Sequence, residues 1–262
     1  MNVPLGVALR SALFTVAFYL VTALMMLLGI WLLVGPRSWA MLGLRLHGQL
    51  CTWLLKVICG TRLEVRGREN IPKGACLVVA KHQSAWDTFA LIPLFSDPAI
   101  VLKAELTRIP LYGWFCMKFE HILVRRDRAA VALKAMIADA RAKSEAGREI
   151  VIFAEGTRRA PGAEPDYKPG YAAIYAALDV PLVPLALNSG LYWPRRSFVR
   201  YPGTIIVEIL PAMPPGLPRA EMRSKLESAI EDASWRLIAE AAGEPVPPPR
   251  ARELAASAPA AI

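Results

Sequence analysis

The chain has 262 residues, a formal net charge of +9 and 55% hydrophobic residues. This length allows one sizeable α/β domain with additional elements, and the hydrophobic fraction exceeds the roughly 45–50% of ordinary soluble chains. The positive charge suits an anionic lipid or an anionic substrate. Because the sequence has neither a continuous basic helix nor a stacking platform, it argues against a nucleic-acid partner.

Residues 11–35 form an apolar segment without a charged residue, flanked by Arg10 and Arg37. As a helix it would rise about 37 Å, which is enough to cross a hydrocarbon core of roughly 30 Å. A cleaved signal peptide has a shorter apolar core and a small-residue cleavage site, and Gly35-Pro36 does not resemble one. The sequence therefore predicts an uncleaved membrane helix.

Residues 38–60 form a second apolar segment, interrupted by Arg45, His47 and Lys56. Its apolar residues recur at helical spacing, so one face is apolar: Leu42, Leu46, Leu50, Trp53, Leu54 and Val57. This pattern favours a helix in the membrane interface; an amphipathic helix packed on the next domain is the alternative. We expect residues 1–60 to be a membrane anchor, with a full span and a re-entrant hairpin both open.

After Gly60, short β-rich runs alternate with helical stretches. The predicted strands are residues 75–80, 99–102, 121–124, 150–153, 182–187 and 204–210. The predicted helices are residues 85–95, 111–118, 129–146, 170–178 and 218–242. This alternation predicts an α/β fold with a mixed, largely parallel sheet flanked by helices, so residues 61–242 form the second domain. The Pro- and Ala-rich residues 243–262 are predicted to be a disordered tail.

The four cysteines, at positions 51, 59, 76 and 116, form no CxxC pair, and no histidine stands at a metal-ligand spacing from them. We therefore predict no metal site. Small buried hydrophobic side chains are the expected role of these cysteines.

His82 and Asp87 directly follow a predicted strand, where ligands gather in open α/β sheets. Five helical residues turn about 500°, so the two side chains meet only if His82 lies in the turn and Asp87 in the first helical turn. Asp87 would then orient the imidazole, and the other ring nitrogen would accept a proton from a substrate. Helix capping by Ser84 and Asp87 is the alternative interpretation.

A second motif, Glu155-Gly156-Thr157-Arg158, follows the strand that ends at Phe153. Glycine permits a tight turn, and arginine offers forked donors for phosphate. A surface ion pair is the alternative.

Two further groups of cations follow strands. Lys103 ends one strand, and Arg125-Arg126 follow the next. These cations would converge on one anion if the strands are adjacent; separate solvated charges are the alternative.

Together these segments resemble the 1-acylglycerol-3-phosphate acyltransferase family over roughly residues 63–211. The His-x4-Asp block matches His82 and Asp87. The second block matches Lys103, Ile109-Pro110 and Arg126, and the third, Phe-Pro-Glu-Gly-Thr-Arg, matches residues 153–158. The fourth matches Val180, Pro181 and Pro184. Lys81, Ala154 and Arg125 depart from the family's usual Asn, Pro and Asp.

The resemblance implies acyl transfer from acyl-CoA or acyl-carrier protein to lysophosphatidate, with these thioesters as co-substrates and no cofactor. His82 would be the base and Asp87 would orient it. Six residues would bind the substrate phosphate: Lys103, Arg126, Glu155, Gly156, Thr157 and Arg158. Backbone amides near the start of the helix that follows His82 are expected to stabilise the oxyanion.

By resemblance, we expect a bacterial-type inner membrane with residues 61–242 as the acyltransferase domain on the cytoplasmic side, and Arg37, Arg45, Lys56 and Arg62 agree with that side. The bilayer and an acyl-carrier protein are the expected partners. Three alternatives remain: another lysolipid acceptor, a serine-type lipid hydrolase using Ser84, and a non-catalytic lipid-binding module.

Overall fold

The computed structural model describes residues 3–125 and 129–258. The helices are α1 Leu5–Leu28, α2 Arg37–Leu54, α3 Asp87–Ala90, α4 Tyr112–Lys118, α5 Ala129–Glu145, α6 Gly170–Ala177, α7 Ser189–Tyr192, α8 Arg219–Ala242 and α9 Ala251–Ala256. The strands are β1 Thr61–Arg66, β2 Leu77–Ala80, β3 Ala99–Lys103, β4 Ile122–Val124, β5 Ile150–Phe153, β6 Leu182–Leu187 and β7 Gly203–Ile209.

The strands of the described residues form one mixed sheet in the order β1-β7-β6-β2-β5-β3-β4. Strands β6, β2, β5, β3 and β4 are parallel to one another, whereas β7 pairs antiparallel with β6 and parallel with β1. The carboxyl ends of β6, β2, β5 and β3 therefore meet at one edge of the sheet. The predicted mixed, largely parallel α/β fold is confirmed.

Alternate residues of the central strands enter the cores on opposite faces of the sheet. Val78 and Ala80 of β2 pack in a core that also contains residues of α1, α2 and α3. Leu77 and Val79 pack in the other, with residues of α5, α6 and α8. This follows from the two-residue period of a strand, and it explains why all of β2 is apolar.

The apolar runs predicted every strand except β1. Leu63 and Val65 are its apolar positions, between Arg62, Glu64 and Arg66. Because β1 is an edge strand that pairs only with β7 among the described strands, it has no continuous apolar run. The short helix α7 was also missed, and residues 85–95 form a single α-helical turn followed by a 3-10 turn rather than one helix.

Helix α1 is the one described helix long and apolar enough to cross a membrane, and only 11% of its most apolar window is buried. It ends at Leu28, before the predicted boundary at residue 35, because Gly29 and Pro36 enclose a 3-10 turn that leads into α2. The helix lies along the domain: the Ser11 hydroxyl accepts a hydrogen bond from the Arg200 amide at 2.8 Å, and the Phe14 ring meets Trp193 edge-on at 5.4 Å.

The turn between α1 and α2 is also attached to the domain. Arg37 donates two hydrogen bonds to the carboxylate of Asp97, at 2.8 and 2.5 Å. The Lys118 ammonium donates to the Gly35 carbonyl at 2.6 Å. Both the first half of α1 and the turn that follows it therefore contact the sheet domain.

The prediction of a disordered tail over residues 243–262 is wrong for α9. Ala251 and Leu254 are buried against α8, in the core that contains β2. Because α9 is a short, alanine-rich helix with two buried residues, the sequence shows no apolar period there, and the helix was missed.

Candidate active site

A cleft of about 1200 Å³ opens at the carboxyl ends of the parallel strands. His82 lines it after β2, as do Lys103 at the end of β3 and the segment Glu155–Arg158 after β5. This is the edge where open α/β sheets bind ligands. The structure thus brings these predicted site residues into one cavity, and Arg126 lies outside the described residues.

His82 and Asp87 form a hydrogen-bonded pair. Nδ1 of His82 lies 2.9 Å from Oδ2 of Asp87, with His82 in the strand-to-helix turn and Asp87 at the start of α3. Because an ionised carboxylate only accepts, Nδ1 donates to it, and in the neutral imidazole this leaves the lone pair on Nε2. Nε2 makes no hydrogen bond to any described residue, so this nitrogen is available to a substrate.

The carboxylate of Asp87 is fully buried, and both of its oxygens accept hydrogen bonds. The backbone amides of Gln83 and Ser84 donate to Oδ2 at 2.8 and 2.9 Å. The hydroxyl of Ser189 donates to Oδ1 at 2.5 Å. These bonds stabilise the charge that burial would otherwise disfavour, and they fix the carboxylate toward His82.

Ser189 is a site residue that the sequence reasoning missed. It stands at the start of α7, two residues after β6, and the neighbouring Gly190 amide donates to the side-chain oxygen of Gln83 at 3.0 Å. The signal available in the sequence was its position directly after an apolar strand. Without the strand order, nothing linked it to Asp87, 102 positions away.

The imidazole is also held from β5. Its ring stacks on Phe153, with centroids 4.0 Å apart and planes at 20°. The backbone amide of Arg159 donates to the His82 carbonyl at 2.8 Å. His82 is therefore positioned both by Asp87 of its own loop and by β5 and the segment that follows it.

The capping interpretation describes part of the same arrangement. The Trp86 amide donates to the Ser84 hydroxyl at 3.2 Å, while the Ser84 amide donates to Asp87. Asp87 thus both caps the turn and holds His82. The amides of Gln83, Ser84 and Trp86 are already occupied by these bonds, so an oxyanion would need other donors.

Glu155 belongs to a buried charged cluster. Its carboxylate lies 3.6 Å from the Lys81 ammonium, which also pairs with Glu231. Burial raises the pKa of Glu155, the charge of Lys81 lowers it in part, and Glu231 raises it further. The hydroxyl of Tyr167 donates to Glu231 at 2.8 Å. The charge of Lys81, which stands where the resembling family has Asn, is thus balanced by its ion pairs with Glu155 and Glu231.

The open cleft is strongly cationic. Lys103, Arg125 and Arg158 line it, and none of them makes an ion pair with a residue that the structure describes. Gly156, with φ of 60°, provides the predicted tight turn. Arg195 and Arg196, after α7, also line the cleft, and sequence reasoning did not select them although two adjacent arginines follow the β6–α7 segment.

The remaining wall of the cleft is apolar and comes partly from the N-terminal segment. Phe18, Met25 and Leu44 line it from α1 and α2, and Phe115 and Phe119 line it from α4 and the residue that follows. The volume exceeds the roughly 300–1,000 Å³ of ordinary small-molecule sites. A long apolar chain with a polar, anionic end fits this combination.

Comparisons with known proteins agree with this arrangement. A family model described as "Acyltransferase" matches residues 62–188. A 1-acyl-sn-glycerol-3-phosphate acyltransferase from Pseudomonas aeruginosa is 40% identical over 161 residues, covering 62% of this chain and 63% of that protein. One from Limnanthes alba is 29% identical over 198 residues, covering 74% and 70%. The matched part thus spans less than two thirds of the Pseudomonas relative.

The fold also matches a solved structure. The crystal structure of the 1-acyl-sn-glycerophosphate acyltransferase from Thermotoga maritima superposes with a TM-score of 0.74 at 23% identity, covering 88% of this chain and 97% of that one. At this identity the likeness establishes the fold.

Proposed function

We propose that this chain is a member of the 1-acylglycerol-3-phosphate acyltransferase family and that it transfers a fatty acyl chain from a thioester to the 2-hydroxyl of 1-acylglycerol 3-phosphate. The product is phosphatidate, for phospholipid synthesis. The observation that carries the proposal is the His82–Asp87 pair, whose ring nitrogen Nε2 is available in a cleft with both cationic and apolar walls.

His82 acts as the general base. An alcohol is a poor nucleophile until its proton is removed, and Nε2 accepts this proton as the oxygen attacks the thioester carbonyl. Asp87 fixes the tautomer and stabilises the imidazolium that forms. The new ester C–O bond forms, the C–S bond breaks, and the thiolate leaves with the proton that His82 returns. No covalent enzyme intermediate is required, and we propose that no cofactor takes part.

The acceptor's phosphate binds to Lys103, Thr157 and Arg158, with Arg126 as a further predicted ligand. Forked guanidinium donors and an ammonium neutralise the dianion, and the turn at Gly156 provides backbone close to it. The buried Glu155 supports this site by holding Lys81. Positioning the phosphate positions the hydroxyl beside His82, which reduces the entropic cost of the reaction.

The N-terminal segment embeds the enzyme in the cytoplasmic side of the inner membrane. Among the described residues, 17 of the 24 exposed large hydrophobic side chains precede Gly60, which makes an apolar surface of the kind that binds a bilayer. Because α1 contacts the sheet domain near its start and again at the turn after it, a hairpin in one leaflet is favoured over a full span. The apolar wall of the cleft then connects with the lipid phase.

The serine-hydrolase alternative has little support. Ser84 is fully buried, its hydroxyl accepts from the Trp86 amide, and it is not among the residues that line the cleft. A nucleophile must reach the substrate carbonyl, so Ser84 is a capping residue in this structure.

The proposed function is tested with the purified full chain in detergent or in vesicles. Palmitoyl-CoA and a palmitoyl-carrier protein are each paired with lysophosphatidate, lysophosphatidylcholine and a lyso-ornithine lipid. Thioester-dependent formation of phosphatidate, with the other acceptors slower, is the expected result. Preferred acylation of an acceptor without a phosphate monoester would identify a different transferase, and fatty-acid release without a thioester would indicate a hydrolase.

A further inference from the structure

The cations that line the cleft follow strands on both sides of β2. In the sheet, β5 and β3 lie on one side of β2, and β6 lies on the other. Lys103 ends β3 and Arg158 follows β5, whereas Arg195 and Arg196 follow the β6–α7 segment. Both groups line the same cleft as His82. The strands that precede the two groups of cations therefore lie on opposite sides of β2, the strand that precedes His82.

The second group is carried by a tight turn. The Ser197 amide donates to the Pro194 carbonyl at 3.3 Å, so Arg195 and Arg196 occupy the two central positions. Trp193 anchors the turn: its amide donates to the Ser189 carbonyl at 2.8 Å, and the Arg200 guanidinium stacks on its ring at 3.9 Å. The two exposed arginines therefore project from a well-supported backbone.

Arg196 has an unfavourable backbone conformation, with φ of 59°. Glycine or asparagine is the usual residue at such a position, because a larger side chain strains the left-handed region. Such strain is found mainly at functional sites. In addition, neither Arg195 nor Arg196 forms an ion pair with any residue in the ranges described. A strained, unpaired arginine is poorly explained by stability.

One phosphate monoester does not require all of these charges. Lys103, Arg125 and Arg158 already exceed the charge of a dianion, and no acidic side chain except the buried Glu155 lines the cleft among the described residues. Direct acyl transfer requires both substrates at once, with the thioester carbonyl and the acceptor hydroxyl together at His82. If the donor is phosphorylated, a second anionic group therefore enters the same cleft.

We propose that Arg195 and Arg196 bind the phosphate groups of a pantetheine-thioester acyl donor, on the opposite side of His82 from the acceptor's phosphate. This inference rests on the proposed function, and it adds a site for the second substrate. The chemistry required of the donor is a phosphorylated pantetheine arm, which coenzyme A and an acyl-carrier protein share. Forked guanidinium donors suit its phosphate oxygens, and the rigid turn reduces the entropic cost of binding.

The test uses the double variant Arg195→Ala/Arg196→Gly in the full chain. Glycine relieves the strain at position 196, so folding is preserved or improved while both charges are removed. The matched control is Arg250→Ala/Arg252→Ala, because these exposed arginines do not line the cleft and removing them changes the net charge equally. Initial rates and equilibrium binding are measured with palmitoyl-CoA, palmitoyl-4′-phosphopantetheine and phosphate-free palmitoyl-pantetheine.

We expect the KM for palmitoyl-CoA to rise about tenfold or more in the double variant, in line with the loss of charge-assisted contacts. The KM values for palmitoyl-pantetheine and for lysophosphatidate stay unchanged, and the control variant behaves as the wild type. A matching loss with palmitoyl-4′-phosphopantetheine places the contact at the shared phosphate, and a loss with palmitoyl-CoA alone places it at the nucleotide phosphates.

Three results would overturn the inference. The first is a rise in the KM for lysophosphatidate instead, which would assign the arginines to the acceptor. The second is an equal loss of activity with all donors, together with a loss of binding to vesicles that contain anionic lipid, which would make this turn, with the exposed Phe198, a membrane contact. The third is that no kinetic or binding parameter of the double variant differs from the wild type. Wild-type protein that binds palmitoyl-CoA through these arginines without transferring its acyl group would contradict the proposed function and leave the donor site in place.

Discussion

The hydroxyl of Ser189 donates a hydrogen bond to Oδ1 of Asp87 at 2.5 Å. This contact joins the end of β6 to the turn after β2. The other carboxylate oxygen, Oδ2, meets His82 and two backbone amides. Both oxygens of the buried carboxylate are therefore occupied, and its orientation toward the imidazole is fixed from two adjacent strands.

Replacing Ser189 by alanine tests this positioning role. The loss of one hydrogen bond to a buried charged group is worth about 1.5 kcal/mol, so we expect kcat to fall about tenfold. Both KM values stay unchanged, because Ser189 does not line the cleft. Ser189→Thr keeps the hydroxyl and restores most of the rate. Equal rates in the alanine and threonine variants would show that the hydroxyl does not act through Asp87.

Arg158→Ala is expected to raise the KM for lysophosphatidate about tenfold or more with little change in kcat for bound substrate, because a charge-assisted phosphate contact is lost. Steady-state kinetics with varied acceptor measure this. The matched control is Arg159→Ala: its guanidinium donates to the Glu164 carbonyl and lies near Asp166, and it does not line the cleft. Equal effects of the two substitutions would contradict a specific phosphate contact at Arg158.

His121 gives the fold an acid sensitivity. Burial above all, together with the charge of Arg148, lowers the pKa of its imidazole to about 3. Nδ1 of His121 accepts a hydrogen bond from the Ile100 amide at 3.3 Å. This bond exists only while Nδ1 carries no proton. Asp97, which opposes the shift, and Arg37, which adds to it, are the other charged groups that act on this ring.

The unfolded chain takes up this proton at about pH 6.5, before the folded chain does. The free energy of unfolding is therefore unaffected by this group above about pH 6.5. It decreases as the pH falls from 6.5 toward 3, by at most about 1.4 kcal/mol per pH unit. Denaturation midpoints in detergent between pH 7.5 and 5 measure the slope. His121→Gln keeps an acceptor that does not titrate, and we expect a flatter slope. Identical slopes would mean that His121 titrates alike in both states.

Leu254 tests the packing of the tail. It is 7% exposed and contributes to the core shared with β2. Leu254→Ala should lower the free energy of unfolding by about 2 kcal/mol, near the small end of such core truncations because α9 lies at the periphery. Leu254→Met, which conserves volume, should cost less. A thermal midpoint unaffected by the alanine substitution would contradict a packed tail.

Local patterns carried most of what could be predicted. The six apolar strands follow from runs of buried residues, and the meeting of His82 with Asp87 follows from five residues of chain between a strand and a helical turn. Ser189 was inaccessible to this reasoning because its partner is 102 positions away and depends on β6 lying next to β2. Sequence gives the type of a residue and its neighbours along the chain, whereas strand order is a property of the whole fold.

The burial of individual side chains was the second property that the sequence did not reveal. Glu155 reads as a polar member of a cationic motif, yet its side chain is fully buried beside Lys81. The edge strand β1 and the helix α9 were missed for the opposite reason, since each buries too few large apolar residues to produce a period. Arg196 reads as one of two adjacent arginines, and only its backbone conformation reveals the strain.

The most direct test of the account is single-turnover acyl transfer by His82→Ala, with saturating palmitoyl-CoA and lysophosphatidate and with folding checked by circular dichroism. Loss of the base predicts a rate lower by a factor of about 10²–10⁴ with both substrates still bound. A folded variant that forms phosphatidate at close to the wild-type rate would contradict the assignment of His82 as the base.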